Sequence, residues 1–251
     1  MSVLIVERQD TLKTLTLNRP ERGNALNAEL VDALSEEIEK SGRDGTRTLV
    51  LRGAGKVFST GFDLKEIESL SDSEVAHRVL NIERMLQAVF HAPMVTVALV
   101  RSMAFGAGAD LVCCCHRRIA TEDSRFCMPG LNFGILLGTR RLTQRVGVDN
   151  ALGVLTDTRV FKAHEALEMG YLTAISAEES WPDHIEAAKQ SGDAIAKEHV
   201  SSMFEVVIPD TRQEDMADLQ ASVSEPGLVD RILEYRDRMR AKSGKKSSQS
   251  Q

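Results

Sequence analysis

Apolar positions alternate at the start of the chain and then switch to a helical period. Val3 and Ile5 share one face and Leu15 and Leu17 another, the two-residue repeat of strands. Asn18-Arg19-Pro20 breaks the second strand, and Asn27 is placed to cap a helix carrying Leu30, Leu34 and Ile38, with Gly42 at its end. Thr48 to Leu51 reads as a buried strand that stops at Gly53-Ala54-Gly55. A polar, helix-like stretch runs from Leu64 to about Ala92 and is closed by Pro93. Met94 to Val100 is the strongest strand pattern, leading through Gly106-Ala107-Gly108 into an apolar helix from Ala109 to Cys115. Arg118-Ile119-Ala120 and Arg125-Phe126-Cys127 are short strand candidates. From Gly138 the pattern is mostly helical. One helix ends at Gly170, another spans Trp181 to Lys197, and a charged one spans Asp230 to Lys242 with Ile232, Leu233 and Tyr235 as its apolar contacts. The alternation of strands and helices gives an α/β fold class.

Composition narrows the chemistry. The 251 residues suit one large domain or two small ones, and with aromatics at 4% the core must be aliphatic and Met-rich. A net charge of −6 argues against broad nucleic-acid binding, so any polyanionic ligand needs a local cluster of Lys and Arg. Three of the four cysteines are consecutive (Cys113, Cys114, Cys115), which fits neither a disulfide framework nor a CxxC metal site. The N-terminal residues lack the pattern of a signal peptide, and no apolar run is long enough to span a membrane. The expected location is a reducing cytoplasm, with neither membrane nor nucleic acid as partner.

Two glycine-containing turns carry candidate chemistry: Phe58-Ser59-Thr60-Gly61-Phe62-Asp63 and Ala104-Phe105-Gly106-Ala107-Gly108-Ala109-Asp110. Each follows a predicted strand and precedes a predicted helix, where backbone N–H groups are free and the helix dipole is positive. Two such turns converging would stabilise negative charge developing on oxygen. Singly, each also reads as an ordinary turn, and Gly106-Ala107-Gly108 lacks dinucleotide-site spacing.

Taken with their neighbours, these segments resemble the crotonase (enoyl-CoA hydratase/isomerase) superfamily. Leu17-Asn18-Arg19-Pro20 with Asn24-Ala25-Leu26-Asn27 resembles its opening, and Phe58 to Glu66 its "FxAGADLKE" segment. Met103 to Ala120, followed by Phe126 to Pro129 and Phe133-Gly134-Ile135, resembles its most diagnostic block, and Phe161 to Gly170 a later helix. The resemblance implies a spiral of ββα units over residues 1–200 and a helical region over 201–242; the polar composition of 243–251 reads as a disordered tail. The resemblance also implies a homotrimer or dimer of trimers, acyl-CoA thioester substrates, and no metal or redox cofactor.

Residue by residue, the resemblance makes the backbone N–H groups of Phe62 and Ala107 the oxyanion donors. The family usually has alanine at the first position and glycine at the second, and Phe62 is expected to reshape the acyl pocket. Lys56 and Lys65 match CoA-binding cations, Arg22 lies beside a third at Glu21, and Ala25, Gly61, Asp63 and Gly106 belong to the CoA-lining segments. The acid–base positions depart from the pattern. Asp110 stands where the first catalytic glutamate is usual, one methylene shorter and roughly 1.5 Å short of its reach. Gly130 replaces the second glutamate, leaving no side chain. Some dihydroxynaphthoyl-CoA synthases carry glycine there and recruit bicarbonate as base, so an open space above Gly130 and a bicarbonate base are expectations here. His116 reads as a core or helix-end histidine rather than a catalytic one, and the cysteine run as packing. Arg140 and Arg141 fall in a segment that replaces a longer Pro-Gly-rich loop and face either pocket or solvent. Three functions remain open: a hydratase or isomerase using Asp110, another crotonase chemistry such as thioester hydrolysis or decarboxylation, and a non-catalytic acyl-CoA-binding protein.

Overall fold

The computed structural model describes residues 2–65 and 67–248; Met1, Glu66 and residues 249–251 lie outside the described residues. β1 (Leu4–Gln9) and β2 (Leu12–Leu17) form an antiparallel hairpin with Leu4 opposite Leu17. Leu4 enters the core, and the strand face that carries Ile5 points away from it, with Ile5 42% exposed. The register fixes this, because pairing Leu4 with buried Leu17 turns Ile5 to the other face. α1 (Ala28–Ser41) starts where Asn27 accepts the Leu30 N–H and buries Leu30, Leu34 and Ile38 as expected.

β3 (Thr48–Gly53) runs parallel to β2 and leads to α2 (Asp72–Phe90). α2 begins later than the pattern suggests, because Ser71 and Glu74 form a reciprocal capping box. β4 (Val95–Val100), β5 (Met103–Phe105), α3 (Ala107–Cys114), β6 (Arg117–Ala120) and β7 (Arg125–Cys127) follow. Next come α4 (Thr139–Val146), α5 (Val148–Asp157), β8 (Phe161–Lys162), α6 (Ala163–Glu168) and β9 (Ala174–Ile175). Helices α7 (Trp181–Ala194), α8 (Lys197–Val207), α9 (Arg212–Val223) and α10 (Leu228–Ser248) complete the chain. α10 extends through 243–248, where a disordered tail was expected; the Lys-, Arg- and Ala-containing segment before it favours helix.

The main sheet has the order β1-β2-β3-β4-β6-β9, and a small second sheet the order β5-β7-β8. Side-chain alternation divides the main sheet. Leu15, Leu17, Leu49, Leu51 and Ala98 join the large core with α1, α2 and α3. Val50, Val97, Leu99 and Ile119 pack under Trp181 and Ala188 of α7. A separate core joins Val75 and Val79 of α2 to Leu219 of α9 and Ile232 of α10. α10 is anchored by Asp72 at the start of α2, whose carboxylate accepts the Gly227 and Val229 N–H groups at 2.8 and 2.9 Å. Among the described residues, no helix is long and apolar enough to cross a membrane.

Candidate active site

The site forms where the loops that follow β2, β3 and β5 meet. Phe105 N–H donates to the Ser59 carbonyl at 3.0 Å, and Leu26 N–H to the Gly61 carbonyl at 2.8 Å. Gly61 is required at this crossing. Its φ is +85°, and a Cβ there would lie 2.5 Å from the Phe105 carbonyl oxygen and 3.1 Å from the Ala107 nitrogen. The two glycine turns singled out in the sequence therefore abut. Among the described residues, the Phe62 and Ala107 N–H groups donate no hydrogen bond, and both residues line one cavity. Ala107 is the first residue of α3, so its N–H is one of the helix's unpaired donors.

The cavity holds about 510 Å³, within the usual range for small-molecule sites. Asp110, Gly106 and Gly130 also line it, together with Thr60 and Phe105. Its walls are otherwise largely apolar, with Phe62, Val79, Ile82, Phe133, Ile135 and Leu137 among them. Ile232, Tyr235, Arg236, Met239 and Arg240 close it as one face of α10, at i, i+3, i+4, i+7 and i+8. In the sequence, Ile232 and Tyr235 read only as apolar contacts of a charged helix. The signal for the rest was this helical period inside a charged segment.

Of the expected CoA-binding residues, Gly106 lines the cavity, while Arg22, Ala25, Lys56, Gly61, Asp63 and Lys65 do not. Arg22, Lys56 and Lys65 are exposed, and Ala25 and Gly61 are buried beneath them. Asn24 ties their loops together: it accepts the Arg19 N–H at 2.9 Å and donates to the Ala54 and Val57 carbonyls, each at 2.9 Å. Asp63 is held by Arg19 at 2.9 Å, a pairing that sequence spacing does not reveal.

Asp110 sits on α3 one turn beyond Ala107 and is 4% exposed. Burial pushes its carboxyl up to about 8, with Arg141 pulling it back and Glu83 pushing it further up. Its Oδ1 has no hydrogen-bond partner among the described residues. Gly138 packs against it: φ there is +68°, and a Cβ would lie 2.0 Å from Oδ1. Arg141 is turned inward, bonding Glu83 of α2 at 2.7 and 2.5 Å, while Arg140 pairs with Asp215 and Asp218 of α9. His116 is structural. Its Nδ1 accepts the Thr96 N–H at 3.1 Å, its ring stacks on Phe204 at 4.1 Å, and burial pushes its pKa down to about 3. The Cys113–Cys115 thiols are buried, and burial pushes Cys115 up to about 12, which leaves it without nucleophilic character. Among the described residues, no group of His, Cys, Asp or Glu is placed to hold a metal ion.

A sequence profile described as enoyl-CoA hydratase/isomerase matches residues 7–224. The chain belongs to the enoyl-CoA hydratase/isomerase family. A Bordetella parapertussis crystal structure described as an enoyl-CoA hydratase/isomerase is 39% identical and superposes with a TM-score of 0.92, covering 93% of this chain and 98% of that one. A Bacillus subtilis protein described as an enoyl-CoA hydratase is 30% identical over 75% of this chain and 74% of its own length. The zebrafish (Danio rerio) mitochondrial enoyl-CoA hydratase domain-containing protein 3 is 30% identical over 72% of this chain, and the match spans 64% of that relative. The crotonase fold and superfamily membership follow from these matches together with the mixed α/β architecture.

Within this family fold, the backbone around Gly130 limits what can replace it. Gly130 lines the cavity, but a side chain does not fit there: a Cβ would meet the Ile135 carbonyl oxygen at 2.8 Å. The loop is tight because Ile135 N–H returns to the Gly130 carbonyl at 2.9 Å, and Leu136 N–H is held by Ser222 Oγ at 3.2 Å. Gly130→Glu is therefore expected to distort this loop rather than restore a carboxylate. Gly130→Ala, the minimal version, should cost about 1–3 kcal/mol, the usual range for overpacking. Urea unfolding measures it, and an unchanged midpoint would mean that the loop yields freely.

Proposed function

We propose that the protein acts on acyl-CoA thioesters, holding the thioester enolate at the backbone N–H groups of Phe62 and Ala107 and moving a proton with Asp110. The observation that carries this reading is two unpaired backbone donors on adjoining turns, sharing one cavity wall with a buried carboxyl whose pKa lies near neutrality. Paired donors match the charge of an enolate oxygen. A carboxyl titrating near the working pH suits both taking and returning a proton. The CoA portion fits the rim of Arg22, Lys56 and Lys65, with Asp63 and Arg19 fixing its shape, and the apolar cavity takes the acyl group.

Of the family's reactions, a 1,3-proton shift is favoured over hydration. In the shift, the Asp110 carboxylate takes a proton from C2 of a 3-enoyl thioester. The electron pair moves into the thioester as enolate, and the same carboxyl returns the proton at C4. Hydration needs a second group to activate water, and Gly130 offers none. The four cysteines are unpaired and buried, in keeping with a reducing cytoplasm, and the family resemblance suggests a homotrimer or dimer of trimers. The test compares 3-hexenoyl-CoA isomerisation with crotonyl-CoA hydration, with and without bicarbonate, on a sample sized by light scattering. Faster isomerisation, unaffected by bicarbonate, is expected. Efficient hydration would overturn the reaction assignment, bicarbonate dependence would point to a borrowed base, and a monomer would overturn the assembly.

A further inference from the structure

We propose that the buried Glu83–Arg141 pair is a positioning device for Asp110, holding the first turn of α4 against the carboxyl and balancing the charge around it. The proposal rests on the proton-transfer reading of Asp110.

The geometry links the pair to the carboxyl through one short path. Gly138, the residue before α4, fits against Asp110 Oδ1 so closely that no side chain is tolerated there. Arg141 lies three residues further on, in the first turn of α4. It forks onto both Glu83 oxygens, at 2.7 and 2.5 Å, with side chains only 2% and 1% exposed. Gln87 donates to Glu83 Oε1 at 2.8 Å, and Asp215 stands 3.6 Å from Arg141 on the α9 side. α4 is thus fixed to α2 and α9 at the point where it touches Asp110. A buried ion pair contributes little net stability, because desolvation offsets the attraction. Its place beside the candidate acid–base group points to a role other than stability.

The charges facing Asp110 are few. Glu83 approaches from α2 and Arg141 from α4, with Asp215 behind Arg141. Cys113 lies on its own helix. Tyr171 binds the Ala109 carbonyl at 2.7 Å, and Arg236 and Arg240 stand on the α10 wall of the cavity. Burial alone favours the protonated acid, Arg141 favours the carboxylate, and Glu83 opposes Arg141. The two partners therefore act on Asp110 with opposite signs.

That opposition supplies the test. The Asp110 carboxyl is titrated by carbon-13 NMR, assigned by difference from Asp110→Asn, and the pH profile of kcat/KM is measured with 3-hexenoyl-CoA. Glu83→Gln should lower the Asp110 titration and Arg141→Gln should raise it, each by about one pH unit, the usual scale for one neighbouring charge. Loosened packing alone would admit water and lower both. Arg141→Lys keeps the charge and should hold the titration near wild type while kcat falls more than KM rises. If a single variant fails to fold, the Glu83→Gln/Arg141→Gln double leaves no charge unpaired and should shift the titration slightly upward, since Arg141 is the stronger influence. Shifts of the same sign in both singles, a downward shift in the double, or no shift would overturn the positioning role. Full turnover by Asp110→Asn would instead overturn the proton-transfer reading, and the NMR titration would still judge the pair.

Discussion

Asp110→Asn is expected to reduce isomerase turnover by about 10²–10⁴-fold, the range for a positioned acid–base group, while making the protein more stable in alkali. The two effects share one cause. The carboxyl is buried and, among the described residues, its Oδ1 lacks a hydrogen bond; burial raises its pKa from the usual 3.8 to about 8 and so favours the neutral acid. A raised carboxyl contributes its full stability below about pH 4, where the unfolded chain also keeps the proton. That contribution is lost as the pH climbs from there to about 8. At 1.36 kcal/mol per pKa unit, the loss is on the order of 5 kcal/mol across the window. Asparagine has the same shape and never ionises, so the variant escapes the loss. Its advantage in Tm should grow by roughly 10 °C between pH 5 and pH 8, given about 2–4 °C per kcal/mol for a chain of this size. Calorimetry across that range, beside turnover at each pH, checks both. A Tm difference that does not change with pH would mean the carboxyl is not held neutral. Unchanged turnover would remove Asp110 from the chemistry.

Much of the fold is legible in the sequence wherever the determinants are local. Asn27 with Leu30, Leu34 and Ile38 specifies α1 by a cap and a stripe within a dozen residues, and β4 is specified by an unbroken apolar run. Legibility fails where partners are distant. β5 is three residues long and is a strand only because β7 pairs with it. Which face of β1 turns inward depends on a register set across the hairpin, which buries Leu4 and exposes Ile5. At the candidate site, Phe62, Ala107, Asp110 and Gly130 were named from family likeness, and they share one cavity. Periodicity alone would not have selected them. The Glu83–Arg141 and Arg19–Asp63 pairs join residues far apart in the chain and leave no local signature. The exclusion of a side chain at Gly130 depends on a backbone carbonyl five residues away, which side-chain chemistry does not encode.

Ala107→Pro tests the oxyanion assignment with little disturbance to the fold. Proline removes the backbone N–H and is well accommodated at the first helical position, where that N–H has no partner within the helix. Ala107 occupies this position in α3, and its N–H donates no hydrogen bond among the described residues. The residue before a proline must avoid the α region. Gly106 already does so, at φ 51° and ψ −130°, a mirror image of the extended conformation that glycine adopts freely. Helix α3 should therefore persist, and circular dichroism and Tm should stay close to wild type. Turnover should fall by about 10²–10³-fold, the loss seen when one oxyanion donor is removed. The loss should lie mainly in kcat, because the donor binds the enolate oxygen more strongly than the ground-state carbonyl. Acyl-CoA affinity, measured by calorimetry with a saturated thioester, should change little. A folded Ala107→Pro protein with wild-type turnover would show that this N–H does not stabilise the enolate. A loss confined to affinity would place it in ground-state binding instead.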